Sequence, residues 1–290
     1  MKKYILALLL LISFISCEDV IEVETPKDTP RLFVDALIRI DESKPLTDIK
    51  IDVGITSSFF EEIQTANLDL LTITNIDQPN TPENPNTVVL NKTTDGGYAA
   101  SVNTSFLTQG NLVLYIEYDN RNYAANATYT PSTPITSIQQ GEDILFGQEE
   151  TEIVVRFEDL PDRDDYYLLD FDFSEYLVTE DTFYKGKPFE FSYFYDEEVN
   201  PETEVTISIL GIDVLFYNYM NLVINQAGGD QGPFQAPVST IKGNIVTITA
   251  DTNAIDLSNL EQYNNLVDTE NFALGYFAVS QVYQETIIVE

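Results

Sequence analysis

The sequence has no histidine and no tryptophan, and among its 290 residues it has one cysteine, Cys17. Without histidine, the chain can form neither a Ser-His-Asp or Cys-His catalytic group nor a zinc site with imidazole ligands. A single cysteine excludes a disulfide within the chain. No phosphate-binding loop of the GxxxxGKS type occurs either. We therefore expect a protein that is not an enzyme and that uses no cofactor.

Basic residues are also scarce: 14 lysines and arginines stand against 48 aspartates and glutamates, which gives a net charge of −34. This charge repels nucleic acid and anionic lipid headgroups, so we expect no nucleic-acid partner and a body that stands away from the membrane surface. Two carboxylates would suffice for a glycosidase, but with so many acidic residues such pairs arise by chance.

An acidic chain could also bind divalent cations. Asp162, Asp164 and Asp165 come closest to a calcium loop, but they lack the glycine and the distal glutamate of an EF-hand. Solubility explains the negative charge without any ligand. We predict no metal site, and a bound calcium ion stays the alternative.

The amino terminus carries the clearest signal in the chain. Lys2 and Lys3 precede an apolar run over residues 4–16, which is the pattern of a secretory signal peptide. The run has about 13 residues, whereas a membrane-spanning helix needs about 20. Cys17 follows directly and resembles the lipidated cysteine of bacterial lipoproteins, although Phe14 stands where leucine is usual. The alternative is an ordinary signal peptide with a stray cysteine.

Residues 17–30 form an acidic, proline-containing segment that we interpret as a tether behind the lipid anchor. Glu18, Asp19 and Glu22 resemble the surface-export signal of lipoproteins in the Bacteroidota. They predict a protein attached to the outer membrane by its lipid alone and facing the cell exterior. Retention on the periplasmic leaflet is the alternative, because any flexible acidic tether would have this composition.

Strand patterns begin after this tether. Ile49, Ile51, Val53 and Ile55 alternate with other residues at the period of two that is typical of a half-buried strand. Short segments of this kind, separated by Gly and Asn turns, predict an antiparallel sandwich over residues 31–132. The stretch looks like the immunoglobulin-like or transthyretin-like modules of bacterial surface proteins.

Residues 133–290 predict a second β-rich domain, so the whole chain is expected to be mainly β. One amphipathic helix is predicted near 212–226, ended by Gly228-Gly229. Its apolar stripe is expected to pack against a sheet, with a ligand groove as the second interpretation. The stripe consists of Leu215, Tyr219, Leu222 and Val223.

Tyrosine is abundant in this second half and suits binding surfaces, because it combines a large contact area with a polar tip. The lack of tryptophan, the commonest ring for stacking on sugars, favours a protein partner over a glycan. The alternative is that these tyrosines fill the rims of β cores. The candidate binding aromatics are Tyr166, Tyr167, Tyr193, Tyr195, Tyr217 and Tyr276.

Several short motifs in fixed order resemble a lipoprotein family of the Bacteroidota known as domain of unknown function 4249. The motifs are Asp165-Tyr166-Tyr167, Phe183 with Lys185-Gly186, the helix over 217–226, Phe234 with Pro237, Gly243-Asn244-Ile245 and Gly275-Tyr276-Phe277. Phe14 and a longer insert over 251–269 depart from the family pattern. The resemblance implies no catalytic residues, because none is established for the family.

The resemblance also implies a genetic and functional context. Such proteins are typically encoded beside TonB-dependent outer-membrane receptors that carry a carboxypeptidase-regulatory-like extension. We therefore expect a surface-exposed lipoprotein that assists such a transporter in ligand capture or uptake. A stand-alone adhesin or glycan-binding lipoprotein is the alternative, and a structural role in envelope biogenesis is a third.

We predict that Cys17→Ala abolishes lipidation and releases the protein from membranes. Several acyl chains, at about 0.8 kcal/mol for each buried CH2, are what hold the chain on a bilayer. Incorporation of labelled fatty acid and membrane fractionation measure the effect. Amide replacements of Glu18, Asp19 and Glu22 are the control, because they change the export signal and leave the thiol in place. A Cys17→Ala chain that is still labelled and membrane-bound would show that the anchor lies elsewhere.

Overall fold

The computed structural model describes residues 30–56, 64–143, 150–195, 199–227, 240–248 and 272–290. Several predicted features lie outside these ranges: the signal peptide, Cys17, Glu18, Asp19, Glu22, Gly228-Gly229, Phe234, Pro237 and the insert over 251–269. Within the described ranges, no helix has both the length and the apolar character needed to cross a membrane.

Strands dominate the described residues, which confirms the prediction of a mainly β protein. The first nine strands are β1 Leu32–Ile40, β2 Leu46–Ile55, β3 Gln64–Thr65, β4 Leu70–Asn75, β5 Thr87–Val89, β6 Asn91–Lys92, β7 Tyr98–Asn103, β8 Asn111–Tyr118 and β9 Arg121–Thr130. The other eight are β10 Ile135–Gln140, β11 Glu152–Glu158, β12 Tyr166–Asp170, β13 Tyr176–Glu180, β14 Pro188–Phe194, β15 Glu204–Ile212, β16 Val246–Ile248 and β17 Leu274–Ile288. The helices are α1 Thr104–Thr108 and α2 Val214–Ala227, with a 3-10 turn at Asp181–Phe183.

Local patterns account for individual strands and turns. In β2, buried Thr47, Ile49 and Ile51 alternate with exposed residues, as the period of two predicts. Strands β8 and β9 form a hairpin through Asp119 and Asn120, whose φ angles of 51° and 56° are those of a two-residue hairpin turn. These positive angles are tolerated by Asp and Asn, so the turn follows from the local sequence.

The last strand, β17, lies at the centre of the sheet. It pairs in parallel with β1 and, over two residues, in parallel with β9, and its carboxyl-terminal half pairs antiparallel with β15. The main sheet has the order β5-β4-β8-β9-β17-β1-β2-β7-β6, with β12, β13 and β15 joined to it through β17. Strands β10, β11 and β14 form a separate three-stranded sheet. One strand therefore connects the early strands to the late ones.

Three hydrophobic cores follow from this arrangement. The first contains buried residues of β1, β2 and β7 together with those of β4, β8 and β9, and Phe277 and Val279 of β17 belong to it. The second lies between β10-β11-β14 and one face of β12 and β15. The third lies on the opposite face of β12, β15 and β17, against α2. Strand β12 is buried on both faces, with Tyr167 and Leu169 in the second core and Leu168 in the third.

Helix α2 is confirmed close to its predicted bounds, but its buried face differs from the prediction. Leu215 and Leu222 are 61% and 57% exposed, so the expectation that they pack in a core is wrong. Buried Phe216 and the partly buried Tyr219 and Met220 pack against the third core instead. The helix carries apolar residues around most of its circumference, so periodicity alone could not select the buried face.

Two motif glycines allow three segments of backbone to pack closely. Gly275 has a φ of +98°, and a Cβ there would lie 1.8 Å from the carbonyl oxygen of Val34. A Cβ on Gly243 would lie 1.6 Å from the carbonyl oxygen of Gly275. The side chain of Asn244 then holds β17: its Nδ2 donates to the Phe277 oxygen at 2.8 Å, and its Oδ1 accepts from the Phe277 N–H at 2.9 Å. This contact gives a physical reason for both motifs.

We predict that Gly275→Ala destabilises the protein by more than about 2 kcal/mol. The added methyl group meets a backbone oxygen, which cannot move aside as a flexible side chain can, and the positive φ adds strain. Chemical denaturation of the full chain in detergent measures the loss. The control is Glu285→Ala, an exposed position on the same strand, which should change stability by less than about 0.5 kcal/mol. Equal midpoints for the two variants would contradict the prediction.

Candidate functional site

A cavity of about 320 Å³ lies where β1, β2, β17 and helix α2 meet the β12–β13 hairpin. Its lining combines aromatic rings with charged side chains, the mixture that is typical of small-molecule sites. The lining residues are Phe33, Val34, Asp35, Leu37, Arg39, Lys50, Asp52, Leu168, Tyr176, Phe216, Tyr219, Met220, Val223, Gly275 and Tyr276.

One wall of the cavity is aromatic. The rings of Phe216 and Tyr276 have centroids 4.7 Å apart, and those of Tyr219 and Tyr276 are 5.0 Å apart. Phe216 and Tyr219 lie three residues apart on α2, which places them on one face of the helix. The close approach at Gly275 holds Tyr276 of β17 against that face. The third core thus ends in a cluster of rings at the cavity.

The adjoining part of the lining is charged because the side chains of β1 alternate, and Asp35 lies next to Tyr276 of the paired strand β17. Val34, Ala36 and Ile38 are buried in the first core, so the intervening side chains lie on the opposite face of the strand. Asp35 and Arg39 are among them and line the cavity. The other charged residues come from the neighbouring antiparallel strand β2, on which Asp52 lies directly opposite Asp35. The core-facing pattern of β1 therefore also determines which residues line the cavity.

Most of these charges are already paired. Arg39 forms an ion pair with Asp170 at 2.6 Å, and Lys50 lies 3.5 Å from Asp52 and 3.2 Å from Asp95. Asp35 differs: among the described residues, no lysine or arginine nitrogen lies within ion-pair distance of its carboxylate. The cavity therefore contains one carboxylate without a fixed counter-charge.

The pKa of Asp35 is raised above its ordinary value of 3.8. The main cause is desolvation by the neighbouring walls of the cavity, although the Asp35 side chain remains exposed to solvent. The like charge of Asp52 raises the pKa further, while a hydrogen bond from the backbone of Leu37 and the charge of Arg39 lower it. Ionisation of Asp35 is therefore less favourable in the folded protein than in the unfolded chain.

The six predicted binding aromatics do not form one site. Tyr276 lines the cavity, and Tyr166 and Tyr217 pack against each other beside the third core with centroids 5.1 Å apart. Tyr167 and Tyr195 are buried in the second core, where the Tyr195 hydroxyl donates to the Phe171 carbonyl at 2.6 Å. Tyr193 packs on the same core, with its ring stacked 3.8 Å from Phe171.

Tyr219 and Val223 of the predicted helical stripe also line the cavity, in line with the second interpretation of that stripe as a ligand groove. The charged lining residues and Phe216 have no such prediction. Asp35, Asp52 and Phe216 belong to none of the sequence motifs, and helix α2, which carries Phe216, is far from β1 and β2 in the sequence. The available signal was the alternation on β1, where Asp35 and Arg39 interrupt an otherwise apolar strand. Alternation marks the face opposite the core, but it does not tell whether that face meets solvent or another element.

A second polar cluster lies inside the protein, where oxygen atoms of Asp159, Asp165 and Asp181 come within 4.8 Å of one another. Carboxylates are ligands for hard cations, and these three could hold one. These carboxylates already have hydrogen-bond partners: the Tyr167 hydroxyl shares its single hydrogen between an oxygen of Asp159 at 2.6 Å and an oxygen of Asp165 at 3.1 Å. Arg163 pairs with Asp165, and the Asp165 N–H donates to Asp181 at 3.0 Å.

This cluster relates to the predicted aspartates only in part. Burial raises the pKa of Asp165, and the Arg163 guanidinium opposes that shift. Asp162 and Asp164 are exposed and do not belong to the cluster. The hydrogen bonds tie the start of β12 to the 3-10 turn at Asp181–Phe183, so the arrangement works as a structural network.

Residues 18–255 match the model of a protein family described as Domain of unknown function (DUF4249). The matched range includes the residues of β1, β2, β12, β13 and α2 that line the cavity. Gly275-Tyr276-Phe277 lies beyond it. Comparison with curated proteins finds no match.

We predict that Asp35→Asn stabilises the protein slightly at neutral pH, by about 0.2–0.5 kcal/mol. The substitution removes a desolvated charge that lies opposite Asp52. Since the pKa of Asp35 is higher in the folded than in the unfolded chain, its carboxyl stabilises the fold less as the pH rises through that raised value. The gain in stability of the Asn variant should therefore disappear well below pH 3.8, where the Asp35 carboxyl is protonated in both the folded and the unfolded chain.

Denaturation midpoints at neutral and acidic pH measure this effect. Asp48→Asn is the matched control, because Asp48 is exposed on β2 opposite Ser101 and does not line the cavity. A loss of stability in Asp35→Asn at neutral pH would mean that the carboxylate has a stabilising partner.

Proposed function

The chain belongs to the DUF4249 family. On that premise we propose that it is an outer-membrane lipoprotein, displayed on the cell surface through a lipid on Cys17. We propose that it captures a small ligand for a TonB-dependent transporter. The single observation that carries the proposal is the position of Cys17, the only cysteine, directly after the apolar run over residues 4–16. Acylation there determines the compartment, and the compartment restricts the partners.

The charge of the chain supports a body held away from the lipid surface. A net charge of −34 opposes contact with anionic headgroups, and the tether over residues 17–30 provides distance from the bilayer. A lipid with several acyl chains then supplies the membrane affinity that the body lacks.

Binding is better supported than catalysis. The cavity offers aromatic area and charged groups, whereas the sequence has no histidine and its one thiol is expected to be acylated. General acid–base chemistry near neutral pH would have to rely on carboxylates alone. Ligand capture needs only the shape, the rings and the charges that the cavity has.

The finer architecture belongs to this proposal. We infer that residues 31–132 form an immunoglobulin-like or transthyretin-like sandwich, and that residues 133–290 form a second β-rich domain. The support is that buried residues of β1, β2 and β7 and those of β4, β8 and β9 share one core. Strand β17 would then serve both domains, and the cavity would lie at their junction.

A stand-alone adhesin is the second candidate, and exposed apolar side chains favour it. Phe183 is 89% exposed and Phe173 is 54% exposed, so both are available to a partner surface. Exposed aromatic residues are common at protein interfaces. An adhesin would use them without any transporter.

We predict that the native lipoprotein, isolated from its own membranes in mild detergent, carries an outer-membrane β-barrel receptor with it in near-stoichiometric amount. Mass spectrometry of the isolated complex identifies the receptor. The Cys17→Ala chain is the control, because without its anchor it should retain much less of the receptor. Isolation of the intact lipoprotein alone, after cross-linking as well, would reject the transporter role and favour the adhesin.

A further inference from the structure

We propose that the cavity beside β1 and α2 binds a small organic cation with an ammonium group, which Asp35 and the aromatic wall recognise together. The inference deepens the proposed function, because it names the class of ligand that would be captured. It rests on the arrangement of charges and rings around the cavity.

The charge balance of the lining favours the binding of one positive group. Arg39 is neutralised by Asp170, and Lys50 lies between Asp52 and Asp95. Asp35 has no such partner among the described lysines and arginines. A ligand ammonium placed beside Asp35 would supply the missing charge and would also relieve the repulsion between Asp35 and Asp52.

The rings supply the other half of the recognition. Phe216, Tyr219 and Tyr276 form one cluster, and Tyr176 lines the cavity with them. The faces of aromatic rings attract ammonium groups, and the attraction grows when water is excluded. Rings beside an unpaired carboxylate are the combination that recognises amines and quaternary ammonium groups. A neutral ligand would use the rings and leave the carboxylate unpaired.

The volume of the cavity and the net negative charge of the protein both favour a small organic cation. A cavity of about 320 Å³ is at the lower end of the range for small-molecule sites, so it suits a small amine. A net charge of −34 raises the local concentration of cations around the protein and repels anions. The site and the whole molecule therefore select for the same sign of charge.

The test compares choline with 3,3-dimethylbutan-1-ol, a neutral molecule of the same shape, by isothermal titration calorimetry on the full chain in non-ionic detergent. We expect choline or butylammonium to bind on the order of tenfold more tightly than the neutral alcohol. This comparison needs no variant, so it does not depend on how a substitution affects folding. If neither cation binds more tightly than the alcohol, or if neither gives heat up to about 10 mM, the proposal is overturned.

Variants then locate the site. Asp35→Asn keeps the shape of the side chain and should weaken cation binding on the order of tenfold, whereas Asp48→Asn should leave it unchanged. Tyr219→Leu should weaken choline binding more than it weakens binding of the alcohol, because it removes a ring and keeps an apolar side chain. Unchanged cation affinity in Asp35→Asn overturns the assignment to this cavity.

The same assay can distinguish a free amine from a lysine side chain of a partner protein. N-acetyl-lysine methylamide carries the butylammonium group on a peptide backbone. If it binds as well as butylammonium does, the site accepts lysine side chains of a partner; if it binds at least tenfold less tightly, the ligand is a free amine. Recovery of a receptor without cation binding rejects this inference alone, and cation binding without a receptor rejects the transporter role alone.

Discussion

The fold depends on the backbone pairing of its last strand. β17 lies between β1 and β9, which it joins in parallel, and it continues into an antiparallel pairing with β15. Its side chains enter the first core through Phe277 and Val279 and the third core through residues such as Tyr276. Gly275 permits this pairing, because any side chain there would meet the backbone of Val34. The backbone pairing of β17 therefore connects the first and third cores and places Gly275 and Tyr276 in the lining of the cavity.

The charge distribution follows from the same geometry. β1 contributes alternate residues to the first core, and the remaining residues line the cavity, so a strand that builds the fold also supplies the site. The lining pairs its arginine and its lysine with aspartates and leaves Asp35 alone beside the aromatic rings. In a chain with 48 acidic and 14 basic residues, carboxylates without partners are the expected excess, and most of those in the described ranges are exposed. Asp35 is also exposed, but it lies in the lining of a cavity beside aromatic rings.

Parts of the candidate site could be predicted from the sequence. The Gly275-Tyr276-Phe277 motif indicates Tyr276, and the predicted helix that carries Phe216 and Tyr219 begins within two residues of the observed start. The buried face of that helix was not predictable, since Leu215 and Leu222 suit a core as well as Phe216 and Met220 do. Tyr167 and Tyr195 are of a residue type that is common at binding surfaces, yet both are buried in the second core, where their hydroxyls donate hydrogen bonds. The tertiary structure alone decides which tyrosines have such a partner.

By itself the sequence determined the features that depend on neighbouring residues. These are the apolar run before Cys17, the alternation of β2, the turn at Asp119-Asn120 and the existence of helix α2. Each is a local pattern with a period or a turn geometry that a few residues define. The tertiary structure decided that residues 274–281 return to pair with residues 33–40, so that Asp35 lies beside Tyr276 and shares the lining of a cavity with Tyr219. Parallel pairing between the two ends of a chain leaves no local signature, because the matching surfaces are brought together only by the complete fold.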